Sequence, residues 1–221
     1  MKLHFEDFIY GSIDGSVTTF AIVAGVIGAS LSPEIILILG FGNLFADGFA
    51  MAAGSYHASQ ARNQFVEMKR KQEEWEIDNM AEQEKDEIRE IYKKKGFRDE
   101  LLEEIIKTIT SRRKVWVDTM MKEELGLIED KKGPLDSSVS TFVGFNLIGV
   151  IPLIPFMIFI FMGINTTSES FVYSIISVMV AFFLVGMIKG KIVKKSKIKS
   201  GFYTLIIGGI AALVAYFVGY G

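Results

Sequence analysis

Hydrophobic positions in this chain are massed in blocks instead of alternating evenly along it. Residues 139–162, 171–188 and 200–221 each run without one formal charge, and blocks of that length suit helices crossing about 30 Å of hydrocarbon. Two earlier blocks are less pure: 15–31 is rich in Gly, Thr and Ala, and 35–56 carries Asn43 and Asp47. Both read as membrane helices. They are joined by Ser30-Leu31-Ser32-Pro33-Glu34, where Ser32 suits a helix cap and Pro33 a first helical position. Polar residues concentrate in one place, because 37 of the 50 charged side chains lie within 62–136.

Inside that charged segment, residues 67–95 have helix-forming composition with no Pro or Gly, and the pattern predicts one helix that continues span two and stops at Gly96. A second helix is predicted over 99–110, with Leu101, Leu102, Ile105, Ile106 and Ile109 as its apolar stripe, and a third over 115–125. Lys132-Gly133-Pro134 breaks the chain before span three, where Pro152 and Pro155 should bend the helix. The expected organisation is membrane helices one and two in 1–61, a helical metal-binding insert in 62–136 and helices three to five in 137–221. The fold class is all-α: a polytopic membrane protein with five transmembrane helices and a small helical cytosolic insert between helices two and three.

Charge sets the orientation. Lys189, Lys191, Lys194, Lys195, Lys197 and Lys199 lie between spans four and five with no acid among them, while the turns near Glu34 and Glu169 contain no base. Short lysine-rich loops stay in the cytoplasm, so the N-terminus and the insert are expected there and the C-terminus outside or in a lumen.

Composition excludes several functions. With no cysteine there is no disulfide framework, thiolate site or cysteine nucleophile. A net charge of −2 with intermixed signs argues against nucleic-acid binding. Glu6, Asp7 and Asp14 precede any apolar run, unlike a signal peptide. His4 and His57 are too few and too separated for a histidine metal site. Without a phosphate-binding Gly loop, HExxH or nucleophile elbow, the chain reads as neither an enzyme nor the carrier of a prosthetic group.

The candidate chemistry lies in two stripes. A carboxylate in hydrocarbon costs about 2.5–3.5 kcal/mol on insertion scales and is a functional hypothesis by default. Asn43, Asp47, Met51 and Ser55 recur every four residues along span two, and Asp14, Thr18, Ala21, Gly25 and Ala29 share a face of span one, whose small residues permit close helix approach. The structural alternative is that Asp14 caps span one and Asp47 bonds a neighbouring helix. In the insert, Glu84, Glu87 and Glu90 share a helix face, with Glu73 and Glu74 about three turns earlier. Either the interleaved Lys85, Arg89 and Lys93 relieve their repulsion, or divalent cations do. Met120 and Met121, followed by Glu123 and Glu124, offer soft ligands or simply core.

Several segments, in this order, resemble the vacuolar iron transporter family over essentially the whole chain. They are Ile13-Asp14-Gly15-Ser16, Ala46-Asp47-Gly48-Phe49-Ala50-Met51-Ala52-Ala53-Gly54, Val150-Ile151-Pro152-Leu153-Ile154-Pro155, the insert's Glu67-Met68-Lys69-Arg70-Lys71-Gln72-Glu73-Glu74 and Met120-Met121-Lys122-Glu123-Glu124-Leu125-Gly126. The resemblance implies a homodimer in the lipid bilayer that exports Fe²⁺, and often Mn²⁺, from the cytosol in exchange for protons through a pathway at the dimer interface. It implies that Asp14 and Met51 line that pathway, and that Glu74, Glu84, Glu87, Met120, Met121 and Glu124 bind metal. Two positions depart from it. Asn43 stands where iron-transporting eukaryotic members carry a glutamate, with Asp47 as candidate replacement, and Lys71 stands where the family often has a metal-binding Glu, with Glu73 nearby. The rival reading is a membrane-anchored metal buffer or sensor without transport. The short stretch before span one leans toward a prokaryotic plasma membrane; in a eukaryote the corresponding membrane is vacuolar.

Overall fold

The computed structural model describes residues 3–127, 133–163 and 167–220. Among them every regular element is helical: α1 Phe5–Gly28, α2 Pro33–Asn79, α3 Ala81–Lys94, α4 Asp99–Thr110, α5 Arg113–Glu123, α6 Pro134–Gly149, a 3₁₀ turn Ile151–Leu153, α7 Ile154–Phe161, α8 Thr167–Ile192 and α9 Lys197–Tyr220. Five stretches are long and apolar enough to cross a membrane: Phe5–Gly28, Pro33–Asn79, Pro134–Phe161, Glu169–Ile192 and Lys197–Val218. The chain is thus all-α with five candidate spans. Lys132 of the predicted break and the terminal Gly221 lie outside the described residues. Contacts divide the chain into two compact units, residues 1–57 with 132–221 and residues 58–131.

In the first unit α1 is central, packed against α6, α8 and α9. It begins ten residues before the apolar block predicted for span one, since Glu6 and Asp7 occupy its first turn, where the exposed N–H groups favour acids. The α1–α6 seam is backbone on backbone. A Cβ at Gly11 would run into the Thr141 carbonyl oxygen, one at Gly15 into that of Phe145, and one at Gly144 into that of Phe8. Close approach therefore falls on Gly11 and Gly15 more than on the predicted Ala21, Gly25 and Ala29, of which Ala29 is exposed. Ser12, Ser16, Thr19 and Thr141 are buried along the same region. Val23, Ile36, Phe145, Leu153 and Phe156 form the apolar centre.

The bend expected from Pro152 and Pro155 is present as the 3₁₀ turn between α6 and α7. Ser174 of α8 donates its hydroxyl to the Pro152 carbonyl at 2.8 Å, a buried bond worth about 1 kcal/mol.

The second unit departs from the single helix predicted over 67–95. The helix breaks at Met80 (φ −131°, ψ 33°), between α2 and α3. Neither Gly nor Pro is involved. Asn79 turns its side-chain amide onto the Trp75 carbonyl at 2.7 Å, the local competition by which Asn ends helices. Gly96, at φ 101°, then follows α3. The core gathers Val66, Ile77, Ile88, Leu102, Ile106, Ile109, Trp116, Val117, Met120 and Met121. From α4 the stripe is narrower than predicted, because Leu101 is exposed.

Candidate metal sites in the membrane unit and in the insert

In the membrane unit Asp14 is half-buried more than two turns inside α1, so the capping alternative fails. Its backbone carbonyl accepts the Thr18 hydroxyl at 2.9 Å. Asp14 and Asp47 stand on two spans that share the apolar centre, to which Val23 and Val26 of α1 and Ile36 and Leu44 of α2 contribute. Asp47 is exposed on α2, flanked by the exposed Phe45 and Phe49, whereas the next residue, Gly48, faces Phe145 and Asn146 of α6. Met51 is half-buried against the apolar centre. The Nδ2 of Asn43 is buried with no hydrogen-bond partner among the described residues.

Ser55, the last member of the α2 stripe, belongs to a hydroxyl cluster. Its oxygen lies 3.0 Å from that of Ser137 and accepts from Thr141 at 3.2 Å, and Ser137 donates to Asp7 at 2.8 Å. The stripe thus passes from acid and thioether to hydroxyl along one helix.

In the insert, the break at Met80 makes the site. On one straight helix Glu73 and Glu84 would stand about 16 Å apart at 1.5 Å per residue. Instead carboxylate oxygens of Glu73, Glu76 and Glu84 lie within 4.8 Å of one another, and so do those of Glu84, Glu87 and Glu124. Together they line a cavity of about 250 Å³ that Lys69, Gln72, Met80, Gln83 and Leu125 complete.

Electrostatics mark the same place. Glu73, only 2% exposed, has its carboxyl pushed up to about 8 by burial, by a hydrogen bond with Glu84 and by repulsion from Glu84, Glu124 and Glu76. Glu84 is also raised, again first by burial, with Glu87 and Glu76 adding to it against the opposing Glu73 bond. Glu124 is raised to about 6 by partial burial of its carboxyl and by Glu87, Glu84 and Glu76. One Glu73 oxygen and one Glu84 oxygen are buried without a hydrogen-bond partner among the described residues. Buried acceptors left unpaired are costly, and hard oxygen donors converging like this suit a divalent cation that displaces their protons.

Of the residues predicted for the insert, Glu73, Glu84, Glu87 and Glu124 are brought together. Glu74 is not: the helical step sets it about 100° round α2 from Glu73, and it pairs with Arg113 at 3.5 Å, beside the 2.8 Å Arg113–Asp78 bridge. Glu90 pairs with Lys93 at 3.5 Å, and Lys71 with Glu67 at 2.7 Å, both at the surface. Met120 and Met121 are buried in the core with Trp116 and do not line the cavity. Sequence reasoning missed Glu76. Its signal was the Glu73/Glu76 spacing of three, repeated by Glu84/Glu87 across the break.

The model of the VIT family matches residues 5–220. The chain is 34% identical over 223 residues to a vacuolar iron transporter of Plasmodium falciparum (isolate 3D7), covering 99% of this chain and 82% of that protein. It is 37% identical over 216 residues to a vacuolar iron transporter of Toxoplasma gondii (strain ATCC 50861 / VEG), covering 96% and 72%. Against vacuolar iron transporter 1 of Arabidopsis thaliana it is 31% identical over 212 residues, covering 96% and 83%.

Proposed function

This chain belongs to the VIT family, and on that premise we propose that it is a secondary active transporter carrying Fe²⁺, and Mn²⁺ as second cargo, out of the cytosol in exchange for protons. The observation that carries the reading is one carboxylate on each of two apolar spans that share an apolar centre, Asp14 half-buried on α1 and Asp47 on α2. Two acids so placed are costly without a cation. A metal ion entering between them neutralises both, and protons do the same on the return, which is the minimum that antiport requires.

Met51, one turn beyond Asp47, supplies a thioether, which favours Fe²⁺ over the hard ions Ca²⁺ and Mg²⁺. Asn43, one turn before it, has a carbonyl oxygen to offer and a buried amide without a partner. The exposure of Asp47, Phe45 and Phe49 in a single chain supports a second copy packed on α2, with the pathway between protomers. The insert's carboxylates Glu73, Glu76, Glu84, Glu87 and Glu124 collect cations in the cytosol. In this orientation the N-terminus shares the cytosolic side and the C-terminus is outside.

The test is metal flux into proteoliposomes of the purified chain, with Fe²⁺ and Mn²⁺ compared under an imposed and a collapsed pH gradient. Gradient-dependent flux that Asp14→Ala abolishes is the expected result. Unchanged flux in that variant refutes the pathway, and absence of flux from a chain that still binds metal moves the assignment to a membrane-anchored buffer or sensor.

A further inference from the structure

The lysines between spans four and five set the expected orientation, but their arrangement at the tip of α8 and α9 carries more. All six, Lys189, Lys191, Lys194, Lys195, Lys197 and Lys199, are exposed, and no acidic residue follows Glu169 anywhere in the sequence. Lysines of the insert, by contrast, pair with neighbouring acids, as Lys71 does with Glu67 and Lys85 with Glu82, both at 2.7 Å. Among the described residues no such ion pair involves the six.

The tip is also tightly built. A Cβ at Gly190 would stand 2.8 Å from the Ser200 Cβ and 3.0 Å from the Lys197 Cα, so the two helices touch there by backbone. Lys194 takes a left-handed conformation (φ 53°), and the Lys195 N–H donates to the Gly190 carbonyl at 2.9 Å. This closes the α8 C-terminus in the manner of a helix C-cap. With the helices in backbone contact, the lysines can only fan outward. Ile188, Ile192, Val193 and Ile198 are exposed among them, so apolar side chains that suit acyl chains alternate with ammonium groups on long flexible stems.

We propose that this hairpin tip is a binding site for anionic phospholipid headgroups of the leaflet in which it lies. Clusters of four to eight basic residues beside a membrane helix attract such lipids. Here the bonding chemistry is ammonium to phosphate, and the exposed isoleucines and valine commit the site to a phosphate that belongs to a lipid.

The experiment uses the full chain in detergent micelles doped with phosphatidylglycerol or phosphatidylcholine of equal acyl length, with retained lipid counted by native mass spectrometry. Phosphatidylglycerol should be retained over phosphatidylcholine by about tenfold at low salt, with the first lysine removed weakening it about fivefold and the preference fading as salt rises. Lys191→Gln, Lys194→Gln, Lys195→Gln and Lys197→Gln combined should abolish the preference. The same four positions changed to Arg should keep it, which separates charge from misfolding. Equal retention of the two lipids by the unmodified chain, or a preference that survives the four glutamines, overturns the proposal. Displacement of phosphatidylglycerol by millimolar inorganic phosphate overturns it too, by showing a site for free phosphate. No arm reads metal flux, so this proposal and the transport reading fail separately.

Discussion

Glu73 allows a quantitative prediction about the metal-free insert. Its carboxyl is held at about 8 against an ordinary 4.5, so between those values the folded chain keeps a proton that the unfolded chain has released. Stability therefore falls as pH rises through this window: for this group it is complete below about 4.5 and lost above about 8. At about 1.4 kcal/mol per pH unit, the whole loss is on the order of 4–5 kcal/mol, with about 3 kcal/mol gone by pH 7. Glu84 shares the proton, so the pair is counted once. The assay is built into the chain, because its two tryptophans, Trp75 and Trp116, both fall within the insert and report its unfolding by urea in the full-length protein. Unfolding midpoints of the metal-free chain should drop between pH 5 and 9. Glu73→Gln, neutral and of the same shape, should flatten the slope and leave the variant more stable than the parent at pH 8.5. Glu74→Gln, at the Arg113 surface pair, should leave the slope unchanged. A flat profile in the parent chain, or an undiminished slope in Glu73→Gln, would falsify the shared-proton account.

Three further predictions follow from the geometry. Glu76→Gln should weaken Mn²⁺ binding to the full chain by about tenfold, the scale on which metal sites respond to loss of a polar partner, while Glu74→Gln should not; titration calorimetry separates them, and the reverse order would return Glu74 to the site. Gly15→Val places a branched side chain against the Phe145 backbone and should cost more than about 3 kcal/mol, seen as loss of the monodisperse peak in detergent, whereas Gly42→Ala, with no neighbour within 4 Å of the new Cβ, should elute as the parent does. Ser174→Ala should lower unfolding stability by about 1 kcal/mol without moving the pH profile of flux, and a larger effect on flux than on stability would give the Pro152 turn a direct part in transport.

How much of this could be read from the sequence differs between the two units. The five spans were legible because a lipid core demands long, nearly uncharged blocks: 35–56 and 171–188 fall wholly inside α2 and α8, and 139–162 is divided among α6, the 3₁₀ turn and α7. The start of α1 was not legible, since Glu6 and Asp7 look like an end to hydrophobicity yet are favoured at a helix N-terminus. In the insert the helix over 99–110 followed from its apolar stripe, while the third, expected over 115–125, runs two residues earlier as Arg113–Glu123. The break at Met80 did not follow, because it comes from an Asn side chain competing for backbone in a run with no Gly or Pro. That single miss propagated to the site. With α2 and α3 fused, Glu73 and Glu74 were both merely upstream acids. With the helix broken at Met80, the three-residue steps Glu73/Glu76 and Glu84/Glu87 line one cavity, and Glu74 pairs with Arg113 instead.

The seam between α1 and α6 has a mechanical consequence. Where two helices meet through side chains, one can slide or roll on the other while the side chains change rotamer; where they meet through Gly11, Gly15, Gly144 and Gly149, no such bearing exists. Helices α1 and α6 must then travel as one strut. Any alternation in which side of the membrane reaches Asp14 is taken up elsewhere, and the natural joint is the turn at Ile151–Leu153, where the helical ladder is already interrupted. Because the chain has no cysteine of its own, a disulfide engineered across the strut should leave transport running, while one that staples the joint should stop it.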